Sequence, residues 1–585
     1  MQTLKKFFSL LTSKERRDAG FLTFMIIIMA FLDMIGVASI LPFMTVLTNP
    51  DIIETNIILN EMYQISLKFG VENNKDFLFI LGVMVFLVLV TSLFFKALTT
   101  YFQLRFVQMR EYSIGKRFIE GYLNQPYSWF LNHNSADIGK TILSEVSIVV
   151  GKGMKPLMDL ISGSLVAFAL IVLLVITDPQ LALLVGFLLS ITYLLIFKIS
   201  SSYLKRIGEE RLKSNNLRFL AVSEAFGAAK QLKISGLEKV FAKRFSDPAK
   251  KYAIYKASAA VIAHLPRFAL EGMAFGSIML MILYLMSKND AVITALPIIS
   301  LYVFAGYRLI PALQQIYASF SKLAFVSSSL DSLCKDIKNL QPSYIDENDE
   351  ILNLNKTINL KNINFFYPNG SRKILTEINM NISAKTTVGL IGATGSGKTT
   401  IIDIILGLLE VQSGTLEVDD KVITKQNSRS WQRTIGYVPQ HIYLSDTCIT
   451  SNIAFGIDHK NVNHDAVQKA AKIANLHDFI INELPDKYQT KVGERGIRLS
   501  GGQIQRIGIA RALYHNPQVL IFDEATSALD NETEKAVMDA VNNIKNNITI
   551  IIIAHRLNTV KNCDFIYKLD NGKIIDQGTF TDFFS

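Results

Sequence analysis

Cysteine is scarce in this sequence, whose 585 residues include only Cys334, Cys448 and Cys563. Their odd number and wide spacing exclude a complete disulfide framework and lack the pairing of a zinc site. We therefore expect reduced cytosolic thiols without a catalytic role. The sequence also has no low-complexity tract, no short internal repeat and no apparent lipidation signal. The apolar run after the charged N-terminus is too long for a cleaved signal peptide, so we expect none.

Charged residues are also few for a protein of this length. They make up 19% of the sequence, whereas 50% of it is hydrophobic and the mean hydropathy is +0.28. This balance is unusual for a soluble enzyme, and the chain is long enough for two large units. The apolar residues are concentrated in the N-terminal part. The sequence therefore predicts a membrane half followed by a soluble half.

Six apolar runs are predicted to cross a membrane as helices, which requires about 20 residues each. They lie near 20–46, 77–101, 157–177, 180–199, 261–286 and 291–311. Lysine and arginine are concentrated before the first run, after the second and after the fourth, and such residues stay preferentially in the cytoplasm. The N-terminus, segments 102–156 and 200–260, and the C-terminal half are therefore predicted to be cytoplasmic. This distribution accounts for much of the net charge of +10, and we expect no nucleic-acid partner.

The loops between the apolar runs carry their own patterns. The two long cytoplasmic segments look helical and are predicted to prolong the membrane helices. Each holds a candidate elbow, at 126–133 and 228–236, that either touches the soluble half or is part of a solvated helical hairpin. In the first external loop, Ile58, Met62, Ile65 and Phe69 recur at helical spacing. They predict an amphipathic helix that lies on the outer membrane face or packs on the bundle.

A phosphate-binding pattern begins the chemistry of the soluble half. A short apolar strand at 388–391 is followed by Gly-x4-Gly-Lys-Thr, the spacing of a P-loop. Lys398 would reach the β- and γ-phosphates of ATP, and the Thr399 hydroxyl would hold Mg²⁺. An ordinary glycine-rich turn is the alternative. The residues of this loop predicted to bind nucleotide are Gly392, Gly395, Ser396, Gly397, Lys398, Thr399 and Thr400.

Polar residues also follow three later predicted strands. Gln440 is placed to meet Mg²⁺ and a partner domain, and Asp523 ends a buried strand as the acid that organises Mg²⁺. Glu524, one residue further, is predicted to be the general base for water, a role that contributes about 10²–10⁴-fold in rate. His555 would contact the γ-phosphate, although a histidine alone at a strand end is more often structural. Ser500 is predicted to cap a helix whose first residues are Gly501 and Gly502.

Taken in order, these motifs resemble the nucleotide-binding domains of ATP-binding cassette (ABC) transporters over nearly all of 351–585. The resemblance implies that Tyr367 stacks on adenine and that Asp530 belongs to a nucleotide-contacting loop. It also implies that the signature Ser500, Gly501, Gly502 and Gln503 binds ATP held by the P-loop of another subunit, most simply in a homodimer. Six spans ahead of one cassette resemble the exporter type of this family.

Three cations interrupt the predicted spans, namely Lys96, Arg267 and Arg308. A cation at the bilayer centre costs about 2.5–3.5 kcal/mol on insertion scales, so three of them indicate a wet cavity suited to a phosphate or pyrophosphate head group. Alternatively, Lys96 snorkels to the cytoplasmic edge and Arg267 pairs with Glu271 one turn away. The runs around 266–272 and 307–311 resemble bacterial flippases of lipid-linked oligosaccharides, which implies a polyprenyl-pyrophosphate-linked cargo.

The sequence thus predicts a multidomain chain. A six-helix all-α transmembrane exporter domain (1–340) and a linker (341–350) precede an α/β P-loop ATPase domain (351–585). The predicted function is an ATP- and Mg²⁺-dependent homodimeric flippase that moves an anionic lipid-linked glycan to the outer leaflet of a bacterial inner membrane. An exporter of drugs, peptides or lipid A, or a non-transporting regulatory cassette protein, remains the alternative.

Overall fold

The protein is described by a computed structural model for residues 2–68, 71, 73–177, 179–287, 291–340, 351–367, 373–493, 496–524, 534–535, 548–554 and 560–584. Two compact units are present. The first comprises Met1–Asn124 and His133–Pro342, and the second comprises Gln125–Asn132 and Ser343–Ser585. The predicted linker 341–350 lies outside the described residues, so its bounds remain a prediction.

The first unit is helical throughout its described residues. Its helices are α1 (Gln2–Leu10), α2 (Ser13–Ala38), α3 (Ile40–Thr48), α4 (Ile52–Thr55), α5 (Ile57–Leu67), α6 (Asn74–Leu123), α8 (Ser135–Lys140), α9 (Val146–Val149), α10 (Lys155–Thr177), α11 (Pro179–Gly227), α12 (Ala229–Ser235), α13 (Glu238–Ser287) and α14 (Ala291–Asn339). Two π-helical segments, Thr141–Glu145 and Val150–Met154, flank α9. A further short helix, α7 (Tyr127–Phe130), belongs to the second unit.

Four helices of the first unit are much longer than a bilayer is thick. The helices α6 and α13 have 50 residues each, and α11 and α14 have 49 each. At 1.5 Å per residue, such a helix is about 75 Å long, against about 30 Å of hydrocarbon. The structure therefore confirms that helices continue well beyond the predicted apolar runs.

Three helical stretches are long and apolar enough to cross a membrane within the part of the chain that the structure describes. They are Ser13–Thr48, Asn74–Leu123 and Ser135–Thr177, and they carry the first three predicted spans. The other three predicted spans fall on α11, α13 and α14, where many side chains lie outside the described residues. The count of six spans remains a prediction.

Large apolar side chains cover the outside of the first helices. Only 17% of the most apolar stretch of α6 is buried. Phe79, Phe86 and Phe94 on this helix are each more than 60% exposed. Such a surface is typical of contact with lipid rather than water. The inner faces of α2, α10 and α14 pack together in a core that includes Ile26 and Leu170.

The helix predicted in the first loop is confirmed as α5, and its external location remains a prediction. The Asn56 side chain caps it by accepting hydrogen bonds from the backbone N–H groups of Ile58 and Leu59. Its apolar residues divide between two faces. Leu59 and Met62 belong to an apolar cluster with α3 and α6, whereas Ile58 is 71% and Ile65 is 56% exposed. Phe69 lies outside the described residues.

Both predicted elbows contain a short helix. The first contains α7, and residues 125–132 are grouped with the second unit. The second contains α12, which ends at Gly236 with a φ of 63°. That left-handed conformation favours glycine, because glycine has no Cβ.

The second unit contains two sheets. The strands are β1 (Thr357–Phe365), β2 (Leu375–Ser383), β3 (Thr387–Gly392), β4 (Ser413–Val418), β5 (Lys421–Val422), β6 (Ile435–Val438), β7 (Val519–Asp523), β8 (Thr549–Ile553), β9 (Phe565–Asp570) and β10 (Lys573–Gly578). The helices are α15 (Lys398–Ile405), α16 (Ser428–Gln432), α17 (Ile449–Ile453), α18 (His464–Ile473), α19 (His477–Asn482), α20 (Gly501–Leu513) and α21 (Phe580–Phe584). Short 3₁₀ turns occupy His459–Asn461 and Lys487–Gln489.

Sheet topology brings the predicted nucleotide residues to one edge. The antiparallel sheet has the order β2-β1-β4-β5, and the larger sheet has the order β10-β9-β3-β8-β7-β6. In the larger sheet all strands except β10 run parallel, and every residue of β7 and β8 is buried. Because the carboxyl ends of parallel strands meet at one edge, the residues after β3, β6, β7 and β8 gather there.

Candidate functional site

The P-loop between β3 and α15 has a backbone that requires glycine. Gly392 has a φ of 151° and Gly397 a φ of 103°. A Cβ on Gly392 would lie 2.2 Å from the Leu569 carbonyl oxygen, and one on Gly397 would lie 2.7 Å from Leu375 Cδ2. Gly395 has open space around it, but its φ of 82° also favours glycine. The loop therefore forms an open cradle lined by backbone, as a bound phosphate needs.

Lys398 opens α15 and folds back over this loop. Its Nζ donates hydrogen bonds to the carbonyl oxygens of Gly392 and Ala393, each at 2.9 Å, and the residue is 5% exposed. Burial lowers the pKa of Lys398, although the charges of Glu524 and Asp523 oppose this effect. An anion at the loop would stabilise the charged form of Lys398, as Glu524 and Asp523 do.

Ser396 supplies an independent sign that this loop is built for an anion. Its hydroxyl is buried, and it has no hydrogen-bond partner among the residues that the structure describes. A buried polar group without a partner costs about 1–3 kcal/mol. A phosphate oxygen at the loop would accept this hydrogen bond, so the residues present fit a nucleotide phosphate.

Asp523 and Glu524 stand at the end of β7 on the same sheet edge. Glu524 has a φ of 52°, a left-handed conformation that costs roughly 1–3 kcal/mol for a residue other than glycine. Gln440, which follows β6, donates from Nε2 to Glu524 Oε2 at 2.7 Å. Tyr437 on β6 donates its hydroxyl to Asp523 Oδ2 at 3.2 Å. The two strands thus hold both carboxylates in place.

Acidic groups at this edge have shifted pKa values. Burial raises the pKa of Asp523; the Tyr437 hydrogen bond opposes that shift, and the charge of Glu524 adds to it. Burial, together with the charge of Asp523, raises the pKa of Asp403 on α15 to about 6. Sequence reasoning missed Asp403 and Tyr437. The only signal for Asp403 was one acid within the apolar run of α15.

The three predicted Mg²⁺ ligands follow strands of one sheet. Thr399 lies in the first turn after β3, Gln440 follows β6, and Asp523 ends β7. A hydroxyl, an amide and a carboxylate oxygen form a ligand set that suits a hard cation. A cation here would also favour the ionised form of Asp523, against the burial that raises its pKa. The donor set therefore fits Mg²⁺.

Tyr367 lies beside the helix that carries the P-loop lysine. Its hydroxyl is 3.4 Å from Thr400 Oγ1, and its ring meets that of Phe365 edge-on at 5.1 Å between centroids. Tyr367 is only partly buried. An aromatic ring in this position remains available to stack on a base.

The signature motif begins α20 with a capping box. Ser500 Oγ accepts from the Gln503 backbone N–H at 3.3 Å, and Gln503 Oε1 accepts from the Ser500 N–H at 2.8 Å. Gly501 and Gly502 occupy the first turn. The N-terminus of this helix is partly exposed, so its remaining N–H groups can meet an anion.

A buried network anchors the other end of α20. Arg511 donates from Nε to the Asn452 carbonyl oxygen and from Nη1 to that of Tyr443, each at 2.8 Å. Asn452 is fully buried, and its amide group also bonds Ser445 and Thr447. Burial lowers the pKa of Arg511 to about 10. The network fixes α20 against the segment that follows Gln440.

Two predicted nucleotide residues, Asp530 and His555, lie outside the described residues. The strand β8 ends two residues before His555 and is hydrogen-bonded to β3. The roles of both residues remain predictions.

In the membrane unit, the three predicted cations have carboxylate partners. Arg308 Nη1 lies 3.3 Å from Asp33 Oδ1, and Lys96 Nζ lies 3.6 Å from Asp33 Oδ2. Arg267 Nε instead donates to Glu271 Oε1 at 2.7 Å, which is the pairing weighed from the sequence. The structure thus brings Lys96 and Arg308 together and pairs Arg267 elsewhere. Sequence reasoning missed Asp33, although a lone acid inside the first apolar run was a visible signal.

Known protein families match both halves of the chain. Residues 375–527 match the family described as ABC transporter, and residues 53–307 match the ABC transporter transmembrane region. The first match includes the P-loop, the signature and the two carboxylates at the end of β7. The second includes Lys96 and Arg267 and ends one residue before Arg308.

Several curated relatives align with less than half of this chain. An ATP-dependent lipid A-core flippase of Saccharophagus degradans is 44% identical over 221 residues, which are 38% of this chain and 37% of that protein. Multidrug resistance protein pgp-1 of Caenorhabditis elegans is 42% identical over 226 residues, which are 38% of this chain and 17% of that protein. The chain therefore spans well under half the length of these relatives.

Two further similarities extend over most of the chain. An ATP-dependent lipid A-core flippase of Ralstonia nicotianae is 28% identical over 471 residues, which are 79% of this chain and 78% of that protein. The solved structure of a bacterial Atm1-family ABC exporter with ATP bound superposes with a TM-score of 0.77 and covers 97% of this chain and 96% of that one. At 22% identity, this second similarity establishes the fold alone.

Proposed function

We propose that this chain, which joins an ABC exporter membrane domain to an ABC ATPase domain, is an ATP-driven exporter of an anionic lipid-linked substrate. The observation that carries the proposal is that Lys398, Asp523 and Glu524 lie at one edge of the ATPase sheet, on the same chain as a membrane unit with a cationic cluster. Transport would run from the inner to the outer leaflet of a bacterial inner membrane.

The residues of the sheet edge divide the work of ATP hydrolysis. Backbone N–H groups of the P-loop, Lys398 and Ser396 would bind the phosphates, and Thr399 and Asp523 would hold the metal. When bound, Mg²⁺ neutralises charge on the phosphate oxygens. Glu524 would accept a proton at its carboxylate from the attacking water. The hydrogen bond from Gln440 to Glu524 Oε2 would orient that carboxylate.

A single ATPase domain makes a second copy of the chain the simplest partner. The signature at the start of α20 and the P-loop of one chain would each complete a site with the opposite element of the other chain. An isologous two-fold dimer provides two such composite sites. The partly exposed N-terminus of α20 supports this arrangement because it leaves N–H groups free for the partner's nucleotide.

For the cargo, we infer a polyprenyl-pyrophosphate-linked oligosaccharide. Lys96 and Arg308 converge on one carboxylate, so the cluster keeps one positive charge in excess, as an anionic head group requires. The resemblance of the runs around 266–272 and 307–311 to lipid-linked oligosaccharide flippases implies the same class. A lipid A-type glycolipid is the second candidate, because the Ralstonia nicotianae lipid A-core flippase is similar over 79% of this chain.

Reconstituted vesicles that contain only this protein test the proposal. We expect ATP-dependent flipping of a polyprenyl-pyrophosphate glycan, with loss of flipping in Arg308→Gln. Lys213→Gln is the matched control, because Lys213 is exposed and paired with Glu210 at 2.9 Å. Preferential flipping of a lipid A-core glycolipid would select the second candidate. An absence of lipid movement despite ATP hydrolysis would favour a regulatory cassette protein.

A further inference from the structure

Asp33 occupies the centre of a charge cluster inside the membrane unit. It lies on α2 within the first apolar run, and its side chain is 1% exposed. Ser92 on α6 donates to Asp33 Oδ1 at 2.7 Å. Arg308 on α14 and Lys96 on α6 approach the two carboxylate oxygens at 3.3 and 3.6 Å. Two helices, α6 and α14, therefore contribute polar groups to one buried carboxylate on α2.

Small residues bring α2 and α6 close enough for this contact. A Cβ on Gly36, one turn beyond Asp33, would lie 3.2 Å from Leu89 Cδ2 and 4.0 Å from Ser92 Cβ. Small residues allow such close approach between membrane helices. The packing fixes the carboxylate between the helices, so its position does not depend on a flexible loop.

The cluster is incompletely neutralised. It holds two cations and one carboxylate, and Asp33 Oδ2 receives no hydrogen bond among the described residues. Exposure differs across the cluster, with the Lys96 side chain 45% and that of Arg308 17% exposed. The carboxylate is thus enclosed while both cations keep an accessible side. An incoming anion could therefore contact the cations from their exposed side, while Asp33 stays buried.

We infer that Asp33 is an internal counter-ion that tunes the affinity of Lys96 and Arg308 for the anionic head group of the substrate. This inference rests on the proposed function and concerns the same cations. Asp33 neutralises one of the two charges, so an anion meets a net charge of one. The pyrophosphate must compete with Asp33 for Arg308, which limits affinity and allows release. Asp33 is a positioning and specificity residue, since the carboxylate itself would repel the anion.

Removal of this carboxylate should strengthen binding of an anionic probe. We expect Asp33→Asn to bind farnesyl pyrophosphate about tenfold more tightly than the wild type, the change expected when one nearby opposing charge is lost, and to bind farnesol unchanged. The measurement is calorimetric titration of the full-length protein in phosphatidylcholine nanodiscs. Saturating ADP and Mg²⁺ keep the P-loop filled. Inorganic pyrophosphate, as a third probe, distinguishes a free anion from a lipid head group.

Asp33→Asn leaves the partly buried Arg308 without its carboxylate and could therefore disturb folding. A second variant, Arg308→Gln, separates such a disturbance from the proposed role. Arg308→Gln should lose binding of farnesyl pyrophosphate, since Lys96 is then fully neutralised by Asp33. Adding Asp33→Asn to Arg308→Gln frees Lys96 and should restore binding to near the wild-type level. A purely structural role for Asp33 gives no such recovery of binding.

Glu145→Gln is the matched control, because Glu145 forms another buried pair, with Arg211 Nη2 at 3.1 Å, and takes no part in the cluster around Asp33. It should leave probe affinity unchanged. If the wild type prefers farnesyl pyrophosphate to farnesol but the double variant binds no better than Arg308→Gln, the role of Asp33 is overturned and the proposed cargo stands. If neither the wild type nor any variant prefers the pyrophosphate, the proposed cargo fails and the role of Asp33 with it.

Discussion

At the scale of single residues, Glu524 is restrained in both its backbone and its side chain. Its φ of 52° stores strain at the end of β7, and Gln440 holds Oε2 at 2.7 Å. A general base benefits from such restraint because the carboxylate must meet water in one orientation. The strain is consistent with a functional position, since left-handed residues other than glycine often cluster at active sites.

Replacement of this carboxylate should separate binding from hydrolysis. We expect Glu524→Gln to reduce ATP hydrolysis by about 10²–10⁴-fold, the usual contribution of a general base, because an amide does not take a proton from water. ATP should still bind, since Lys398 and the P-loop are unchanged. The measurements are steady-state phosphate release and retention of labelled ATP. Glu410→Gln, at an exposed pair with Lys425, is the control, and normal hydrolysis in Glu524→Gln would show that the base lies elsewhere.

Asp403 carries a pH-dependent cost to folding. Burial and the charge of Asp523 raise its pKa from 3.8 to about 6, so ionised Asp403 is disfavoured in the folded state. The cost is absent below about pH 3.8, grows as the pH rises to 6 and is complete above it. The difference between the two pKa values corresponds to roughly 3 kcal/mol.

We therefore expect Asp403→Asn to stabilise the protein more at pH 7.5 than at pH 4.5. The measurement is thermal unfolding of the full chain at both values, followed by tryptophan fluorescence, to which Trp431, fully buried in the ATPase domain, contributes. Asp420→Asn, at an exposed position, should show no such difference. Equal effects of Asp403→Asn at both pH values would contradict the raised pKa.

Residues of the site differed in how far the sequence could predict them. The P-loop was predictable because its glycines and Lys398 are adjacent in the chain and their backbone requirements are local. Asp33 was not, because Ser92 lies 59 residues away and Arg308 lies on the distant helix α14. The raised pKa of Asp403 on α15 depends in part on the charge of Asp523, which lies on β7. A single sequence carries no direct signal for such distant contacts.

At the scale of elements, α20 is anchored by hydrogen bonds near its C-terminus. Its N-terminus carries the signature, and Arg511 near its C-terminus bonds the backbone of Asn452 and Tyr443. Asn452 lies on α17, and its amide group bonds Ser445 after the Gln440 segment. Hydrogen bonds, and not apolar contacts alone, therefore connect that segment to α20.

Loss of the Asn452 side chain should loosen this connection. We expect Asn452→Ala to destabilise the ATPase domain by about 2–4 kcal/mol, because several buried polar partners lose their hydrogen bonds. ATP hydrolysis should fall with it. Thermal unfolding and phosphate release measure the two effects, with Asn461→Ala at an exposed position as the control. An unchanged unfolding temperature for Asn452→Ala would refute the anchoring role.

Elements of the two halves were predictable to different degrees. The positions of the buried strands β7 and β8 were predictable from unbroken apolar runs. The P-loop motif located the end of β3 and the start of α15. In the membrane half, apolar runs located helices but not their ends, since α6 and α11 continue as polar helices to Leu123 and Gly227. The two π-helical segments around α9 were not predicted from the sequence.

At the scale of the whole molecule, identity to known proteins falls as more of the chain is aligned. Matches above 40% identity extend over about two fifths of the chain, whereas the match over 79% of it falls to 28%. Hydrolysis of ATP demands a fixed set of groups, but a membrane surface that faces lipid and cargo tolerates many apolar sequences. Charges such as Lys96 and Arg308 therefore say more about the cargo than overall similarity does.

A dimer with two composite sites predicts recovery of activity when two inactive variants are mixed. Lys398→Ala disables the P-loop and leaves the signature, whereas Ser500→Arg blocks the signature and leaves the P-loop. Each homodimer should be inactive, but a mixed dimer contains one intact site. After co-expression at equal levels we expect up to about a quarter of wild-type hydrolysis, since half of the dimers are mixed and each retains one of two sites.

Tandem purification with two different tags isolates the mixed dimers and makes the test sharper. These should hydrolyse ATP at up to about half the wild-type rate, since one of the two sites is intact, whereas tagged homodimers of either variant should not. Lys398→Ala combined with Ser500→Arg on one chain, mixed with the wild type, leaves each site with one disabled element and should abolish activity in the mixed dimer. Activity of that dimer at half the wild-type rate would instead show that each chain hydrolyses ATP alone, because a self-sufficient wild-type protomer would be unaffected by its partner.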